Sequence, residues 1–217
     1  MASDSRRGAL VRAMPAVFVL IWSTGFIVAR YGMPYAPPMK FLTLRYLLSV
    51  LCFAAWALLA RVALPGNRRQ YAHLAATGVL MHAGYLGGVW AAVKLGMGAG
   101  LAALLVSLQP VLTAVWVSSR GGRVTARQWA GLALGFGGLA LVVWHKLGLG
   151  EIHAANLLFA FIALASITTG TLYQKRFVAP CDVRTASLVQ LAAAFAFTLP
   201  LALLESETMQ WNMQLGA

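Results

Sequence analysis

Seven predominantly apolar stretches divide this chain, at residues 13–29, 41–60, 72–93, 98–118, 128–144, 154–173 and 185–204. A helix rises about 1.5 Å per residue, so about 17–25 such residues cross a bilayer, and every stretch is long enough. The fold class that follows is an all-α integral membrane protein of about seven transmembrane helices. The basic residues fix a direction. Arg6, Arg7 and Arg12 precede the first stretch; Arg61, Arg68 and Arg69 follow the second; Arg120, Arg123 and Arg127 follow the fourth; Lys175, Arg176 and Arg184 follow the sixth. Against these twelve, the other side receives Arg30, Lys40, Lys94 and Lys146. The positive-inside rule predicts a cytoplasmic N-terminus and, after seven spans, a C-terminus outside.

Hydrophobic residues make up 60% of the chain and charged ones 10%, against roughly a quarter charged in soluble domains. A soluble core cannot absorb that surplus. The net charge of +12 sits in short loops beside apolar spans, where anionic lipid headgroups are the natural partner and nucleic acid is not. Cys52 lies within the second span and Cys181 in a loop, so the chain has neither a disulfide framework nor metal-ligand spacing, and no cofactor is expected. Arg30 closes the first span with no small-x-small cleavage site, so that span reads as a retained helix rather than a signal peptide.

The links are short, which predicts that sequential helices pack as antiparallel neighbours. Gly84 and Gly88, Gly96 and Gly100, and Gly131 and Gly135 form small-xxx-small pairs that let helix backbones approach closely in lipid.

Polar groups within the spans are costly in hydrocarbon and mark candidate pathway positions. The five acidic residues, Asp4, Glu151, Asp182, Glu205 and Glu207, all lie outside the spans, so ion coupling through a buried carboxylate is not expected. Trp22, Ser23 and Thr24 fall just past the middle of span one, His82 and Tyr85 near the middle of span three, and Gln109 near the middle of span four. Ser23 and Thr24 have a packing reading too, because hydroxyls bond back to their own helix. An imidazole at mid-membrane must find a partner, in packing or in a proton-linked path. Pro110 cannot donate to the carbonyl of Val106 and predicts a kink beside Gln109. Arg45, the one charge inside a span, either snorkels to the headgroups or attracts anions at an outer vestibule. With Arg30, Lys40 and Lys94 on that side, the expectation is a mildly positive outer mouth that favours neutral, zwitterionic or anionic small molecules. Paired carboxylates, a metal cluster and a Gly-x-Ser-x-Gly elbow are all missing from the sequence, and a lone His82 makes no active site, so an enzyme is not expected.

Sliding the chain by 145 residues lays spans one and two on spans six and seven. Ser23, Thr24 and Gly25 then meet Thr168, Thr169 and Gly170, and Arg45 meets Gln190, which adds Thr168, Thr169 and Gln190 to the candidate pathway. A five-helix unit has an odd number of crossings, so its second copy enters from the opposite face, an arrangement typical of secondary transporters.

The run Leu20-Ile21-Trp22-Ser23-Thr24-Gly25-Phe26, the Phe41 to Arg45 opening of span two, and Leu108-Gln109-Pro110 resemble the drug/metabolite transporter superfamily in its EamA-type branch. The resemblance implies a bacterial inner-membrane permease of ten helices in two inverted repeats, moving small metabolites or drugs by alternating access. Residues 1–146 would be one complete five-helix EamA repeat and residues 147–217 the first two helices of the second. The polar segment from Glu205 to Gln214 should lead into an eighth helix. Two functional readings stand side by side: a transporter, and a truncated, non-transporting remnant or partner-dependent subunit completed by a homodimer or a second chain.

Overall fold

The computed structural model describes residues 2–62, 64–147 and 151–210, with side chains for 13–62, 64–146 and 151–210. The side chains of Asp4, Arg6, Arg7 and Arg12, and residues 211–214 of the polar C-terminal segment, lie outside the described residues. The described residues form helices with no strand: α1 (Ala2–Gly32), α2 (Pro38–Leu59), α3 (Arg68–Gly78), a π-helical turn (Val79–Gly84), α4 (Tyr85–Lys94), α5 (Ala99–Val106), α6 (Gln109–Ser119), α7 (Ala126–Leu147), α8 (Ala154–Phe177) and α9 (Val183–Leu204). They compose seven helical segments long and apolar enough to cross a membrane, as the hydropathy predicts.

Local chemistry sets the ends. Asn67 accepts from the Arg69 amide at 2.8 Å and starts α3 four residues before the apolar run begins. Asp182 accepts from the Arg184 amide at 2.9 Å and caps α9; an Asp or Asn at this position satisfies one of the orphan amides of a first turn. Span four is broken rather than merely kinked. Ser107 and Leu108 turn between α5 and α6, and the amides of Val111 and Leu112 restart the ladder on the Leu108 carbonyl at 2.9 and 3.1 Å. Pro110 thereby falls in the first turn of α6, where its missing N–H costs nothing.

Burial is inverted relative to a soluble protein. Large apolar side chains such as Leu20, Leu58, Leu134, Leu141 and Leu203 are exposed, while Thr43, Thr77, Thr168, Thr185, Thr198 and Asn156 are buried. An apolar exterior with a partly polar interior is what lipid as solvent selects.

Packing departs from chain order. The most extensive interface joins α2 to α9, and the third span (α3, the π turn and α4) is held between α8 and α9. The expectation that short links make sequential helices neighbours therefore fails for spans one and two, five and six, and six and seven, and holds only weakly for the remaining sequential pairs. A link constrains helix ends, whereas close approach in lipid is decided by where small residues lie. Cβ atoms at Gly84 and Gly88 would press on Ser166 and on the Phe159 carbonyl and Ala163 of α8, a Cβ at Gly170 would press on Met81 and Leu80, and one at Gly78 would overlap the Gln190 backbone of α9. The other glycine pairs do not pack as expected. Gly96 serves a turn at φ +92°, and Cβ atoms at Gly100, Gly131 and Gly135 would meet nothing within 4 Å.

The helices alternate in direction, so their ends gather in two groups. The Lys94 end holds the α1–α2, α4–α5 and α7–α8 links and the segment after α9; the Arg-rich end holds the others.

Candidate functional site

Four spans converge on a cavity of about 270 Å³ whose lining includes Trp22, Phe26, Arg45, His82, Tyr85, Trp90 and, from α8, Ile167. Each is there for a local reason. Arg45 follows Phe41 by one turn of α2, and the Phe41 ring packs on Trp90 of α4 with centroids 4.9 Å apart, which sets the distance between the two helices. The next residue, Tyr46, is buried and donates its hydroxyl to the His82 carbonyl at 2.9 Å. That carbonyl lies in the π turn, where the regular i to i−4 ladder is interrupted and backbone acceptors need other donors. Such turns concentrate at functional sites, and this one carries His82 and leads directly into Tyr85. The Tyr85 and Trp22 rings stand 6.1 Å apart at a tilt of 36°, so α1 meets α4 across the cavity.

Behind the cavity, the Gln190 side chain of α9 comes close to His82, and the Arg45 charge acts on the same imidazole. The two positions matched by the 145-residue offset, Arg45 and Gln190, thus approach His82 from different helices. Trp22 and Phe26 also wall a second cleft of about 380 Å³, which reaches Ser23, Gln109 and Pro110. Gln109, in the first turn of α6, donates to the Thr171 hydroxyl of α8 at 3.0 Å.

The structure thus brings Trp22, Arg45, His82, Tyr85 and Gln190 together, and places Ser23 and Gln109 at the neighbouring cleft. The remaining candidates stand apart from both. Thr24 donates to the Ile21 carbonyl at 2.6 Å, Thr168 is buried with its hydroxyl on Leu164 at 2.7 Å, and Thr169 donates to Ala165 at 2.6 Å. Ser23 also bonds back, to the Val19 carbonyl at 2.8 Å. Sequence reasoning passed over Phe26, Tyr46 and Thr171. Phe26 is inside the quoted Leu20 to Phe26 run, but the partners that bring in Tyr46 and Thr171 are 36 and 62 residues away.

The Lys94 end, which the sequence reading takes as a mildly positive mouth, holds glutamates beside its cations. A cavity of about 800 Å³ opens at the Lys94 end beside Arg30, Lys94, Lys146 and Glu151. Glu151 pairs with Lys146, Glu207 with Lys94 at 2.7 Å, and Glu205 accepts from the Lys40 amide at 2.9 Å. Three glutamates from segments just beyond helix ends balance most of the cationic charge that the helix ends carry.

Known proteins resemble the chain in sequence. A protein of Salmonella typhimurium (strain LT2) named probable amino-acid metabolite efflux pump is 28% identical over 159 residues, which is 73% of this chain and 51% of the relative. The Escherichia coli (strain K12) protein of the same name is 26% identical over the same shares. The uncharacterized inner membrane transporter YedA of Escherichia coli (strain K12) is 27% identical over 184 residues, 85% of this chain and 59% of that protein. The chain therefore spans about half the length of the curated relatives it matches. No solved structure matches. The profile of the EamA-like transporter family covers residues 13–144, more than half of the chain and all of the helices that line the two cavities except α8, and on that match the chain belongs to the EamA-like transporter family.

Proposed function

We propose that this chain carries small metabolites out across the bacterial inner membrane by alternating access, with the cavity at Trp22, Arg45, His82 and Tyr85 as the substrate position. The observation that carries the reading is the convergence of those four side chains, from α1, α2 and the third span, on one space. Its size favours a metabolite over a drug, because pockets for drug-sized ligands run to about 300–1,000 Å³, and this one measures about 270 Å³. Arg45 is the one charged side chain among the described lining residues, which favours a neutral molecule, an anion or the carboxylate end of a zwitterion. Export is supported by the names of the efflux-pump relatives, and an N-terminus in the cytoplasm by the charge asymmetry of the loops.

Counterflow in proteoliposomes tests the reading. Arg45→Gln is expected to weaken half-saturation by a carboxylate-bearing substrate by roughly tenfold, about 1.4 kcal/mol, with unchanged abundance in the membrane. Equal transport by wild type and variant across a panel of amino acids and their acylated derivatives would remove Arg45 from the path. Stronger competition by organic cations than by amino acids would overturn the substrate class.

A partner-dependent form of this reading is favoured by the bare glycine face of α7, where Cβ atoms at Gly131, Gly135 and Gly138 would meet nothing within 4 Å. A second chain, or a second copy of this one, would cover it. Mass measured in detergent distinguishes a pair from a single chain.

A further inference from the structure

Moving from the central cavity toward the Lys94 end, α2 and α4 present the same succession of residues. On α2, Arg45 lines the cavity, Phe41 stands one turn beyond, and Met39 and Lys40 begin the helix. On α4, Tyr85 and Trp90 line the cavity, and Lys94 ends the helix, about 6 Å further along its axis. The two layers differ in chemistry. The nearer is the Phe41 and Trp90 pair, whose rings meet at a tilt of 37°. The farther is polar and is completed by the segment after α9.

That segment makes five ties. The two carboxylate oxygens of Glu205 accept from the amides of Met39 and Lys40 at 3.0 and 2.9 Å. The Lys40 ammonium donates to the Glu207 carbonyl at 2.6 Å, the Lys94 ammonium pairs with the Glu207 carboxylate at 2.7 Å, and the Gln210 amide donates to the Tyr35 carbonyl at 2.9 Å. Lys94 also donates to the Met33 carbonyl at 3.1 Å, so one ammonium joins α4 both to the α1–α2 link and to the segment beyond α9. A carboxylate on the first amides of a helix is ordinary capping chemistry. Here the carboxylate is more than 160 residues away in the chain, so the cap is a tertiary tie.

We propose that residues 205–210 form a latch over the Phe41 and Trp90 pair that holds the Lys94 end of the central cavity shut, with Glu205 as its anchor and the Lys94–Glu207 ion pair as its releasable part. The division of labour follows from exposure and geometry. Glu205 is half-buried and holds two amides at once, whereas the Glu207 side chain is 61% exposed, and an ion pair so close to water contributes little and parts readily. Because α2 and α9 share the most extensive helix interface, the segment moves with them, and parting Lys94 from Glu207 loosens the Lys94 end of α4 from that pair of helices. The inference rests on the cavity as the transport path, but closure itself is measurable without transport.

The test places a reporter in the cavity. Gly25 lines it, and a Cβ there meets nothing within 4 Å, so Gly25→Cys fits. Cys52 is replaced by Ser, and Cys181, exposed at the opposite end, reports which face a membrane-impermeant maleimide has reached. With reagent on the Lys94 side, residue 25 is expected to react slowly in the otherwise unaltered protein. Glu207→Gln and Lys94→Gln should each raise the rate roughly two- to fivefold, the effect of removing one partly exposed ion pair, and Glu205→Ala should raise it further. The exchange Lys94→Glu with Glu207→Lys should restore slow labelling, which a merely structural role would not do. Unchanged rates in both single variants overturn the latch, as does an exchange variant that labels as fast as either single one. An unchanged melting temperature in detergent certifies that the variants are folded, and Cys181 labelling from the other face that they are inserted the same way round. If the labelling pattern holds while no substrate moves in counterflow, the latch stands and the carrier reading falls.

Discussion

A hydroxyl in a helix finds a carbonyl one turn back whether or not a substrate arrives, and Ser23, Thr24, Thr168 and Thr169 all take that option. Arg45, His82 and Tyr85 have no such local outlet, and these are the residues that meet at the cavity. The sequence raised the packing reading for Ser23 and Thr24 but left His82 and Arg45 open between packing and path, and partners such as Tyr46 for His82 stayed invisible because they are set by helix packing. Asp182 shows how much one residue can organise at a helix end. Hydrogen bonds from the Arg184 side chain, then from its amide, hold the Asp182 carboxyl well below the usual carboxylate range, at about 2. A carboxyl depressed in the folded state stabilises fully above its unfolded value near 3.8 and loses that contribution as pH falls through the folded value. Thermal unfolding in detergent should therefore rank wild type above Asp182→Asn above Asp182→Ala at pH 7, since Asn keeps the cap and loses the ion pair. The gap between wild type and Asp182→Asn should close between about pH 4 and pH 2. A gap independent of pH across that window would assign the effect to capping alone.

Elements were legible in outline, because seven apolar runs of sufficient length leave little choice of how the chain meets a bilayer. Their interruptions were less so. Pro110 announced a disturbance in span four, but nothing at Val79–Gly84 distinguishes a π turn from continuous helix, since its register depends on the Tyr46 hydroxyl and on α8 and α9 packing on either side. The glycine pairs show the same limit. Spacing identifies a face that permits close approach, and only the neighbour decides whether the approach occurs. Gly78 and Gly131 make the contrast measurable. Gly78→Ala would drive a methyl into the Gln190 backbone and should cost roughly 1–3 kcal/mol, as overpacking typically does. It should also part α3 from α9 and lower membrane abundance. Gly131→Ala meets nothing within 4 Å and should be neutral or stabilising by up to about 1 kcal/mol, the usual gain of alanine over glycine in a helix. Melting temperatures of the two variants in detergent check both; equal losses would mean that a neighbour packs on α7 in the membrane.

At the scale of the molecule, the two ends differ more sharply than cation counting suggests. Around the Lys94 end, Arg30, Lys40, Lys94 and Lys146 meet Glu151, Glu205 and Glu207, and two of the four cations are in ion pairs. The other end carries Arg61, Arg68, Arg69, Arg120, Arg123, Arg127, Lys175, Arg176 and Arg184 with Asp182 as its one carboxylate among the described side chains. Topology responds to Lys and Arg within short loops and hardly at all to acids, so the glutamates that offset most of the cationic charge at the Lys94 end leave the orientation signal intact. Nine cations against four therefore predict a cytoplasmic Arg-rich end, and Cys181, exposed in the loop between α8 and α9, can report it directly. An impermeant maleimide should label Cys181 in inside-out vesicles and leave it unlabelled in intact spheroplasts, with Cys52 replaced by Ser. That result puts the latch on the periplasmic mouth, where its release would let a substrate leave the cell. Labelling in spheroplasts instead would turn the molecule over, put the latch on the cytoplasmic mouth, and make its release the step that admits substrate rather than the step that discharges it.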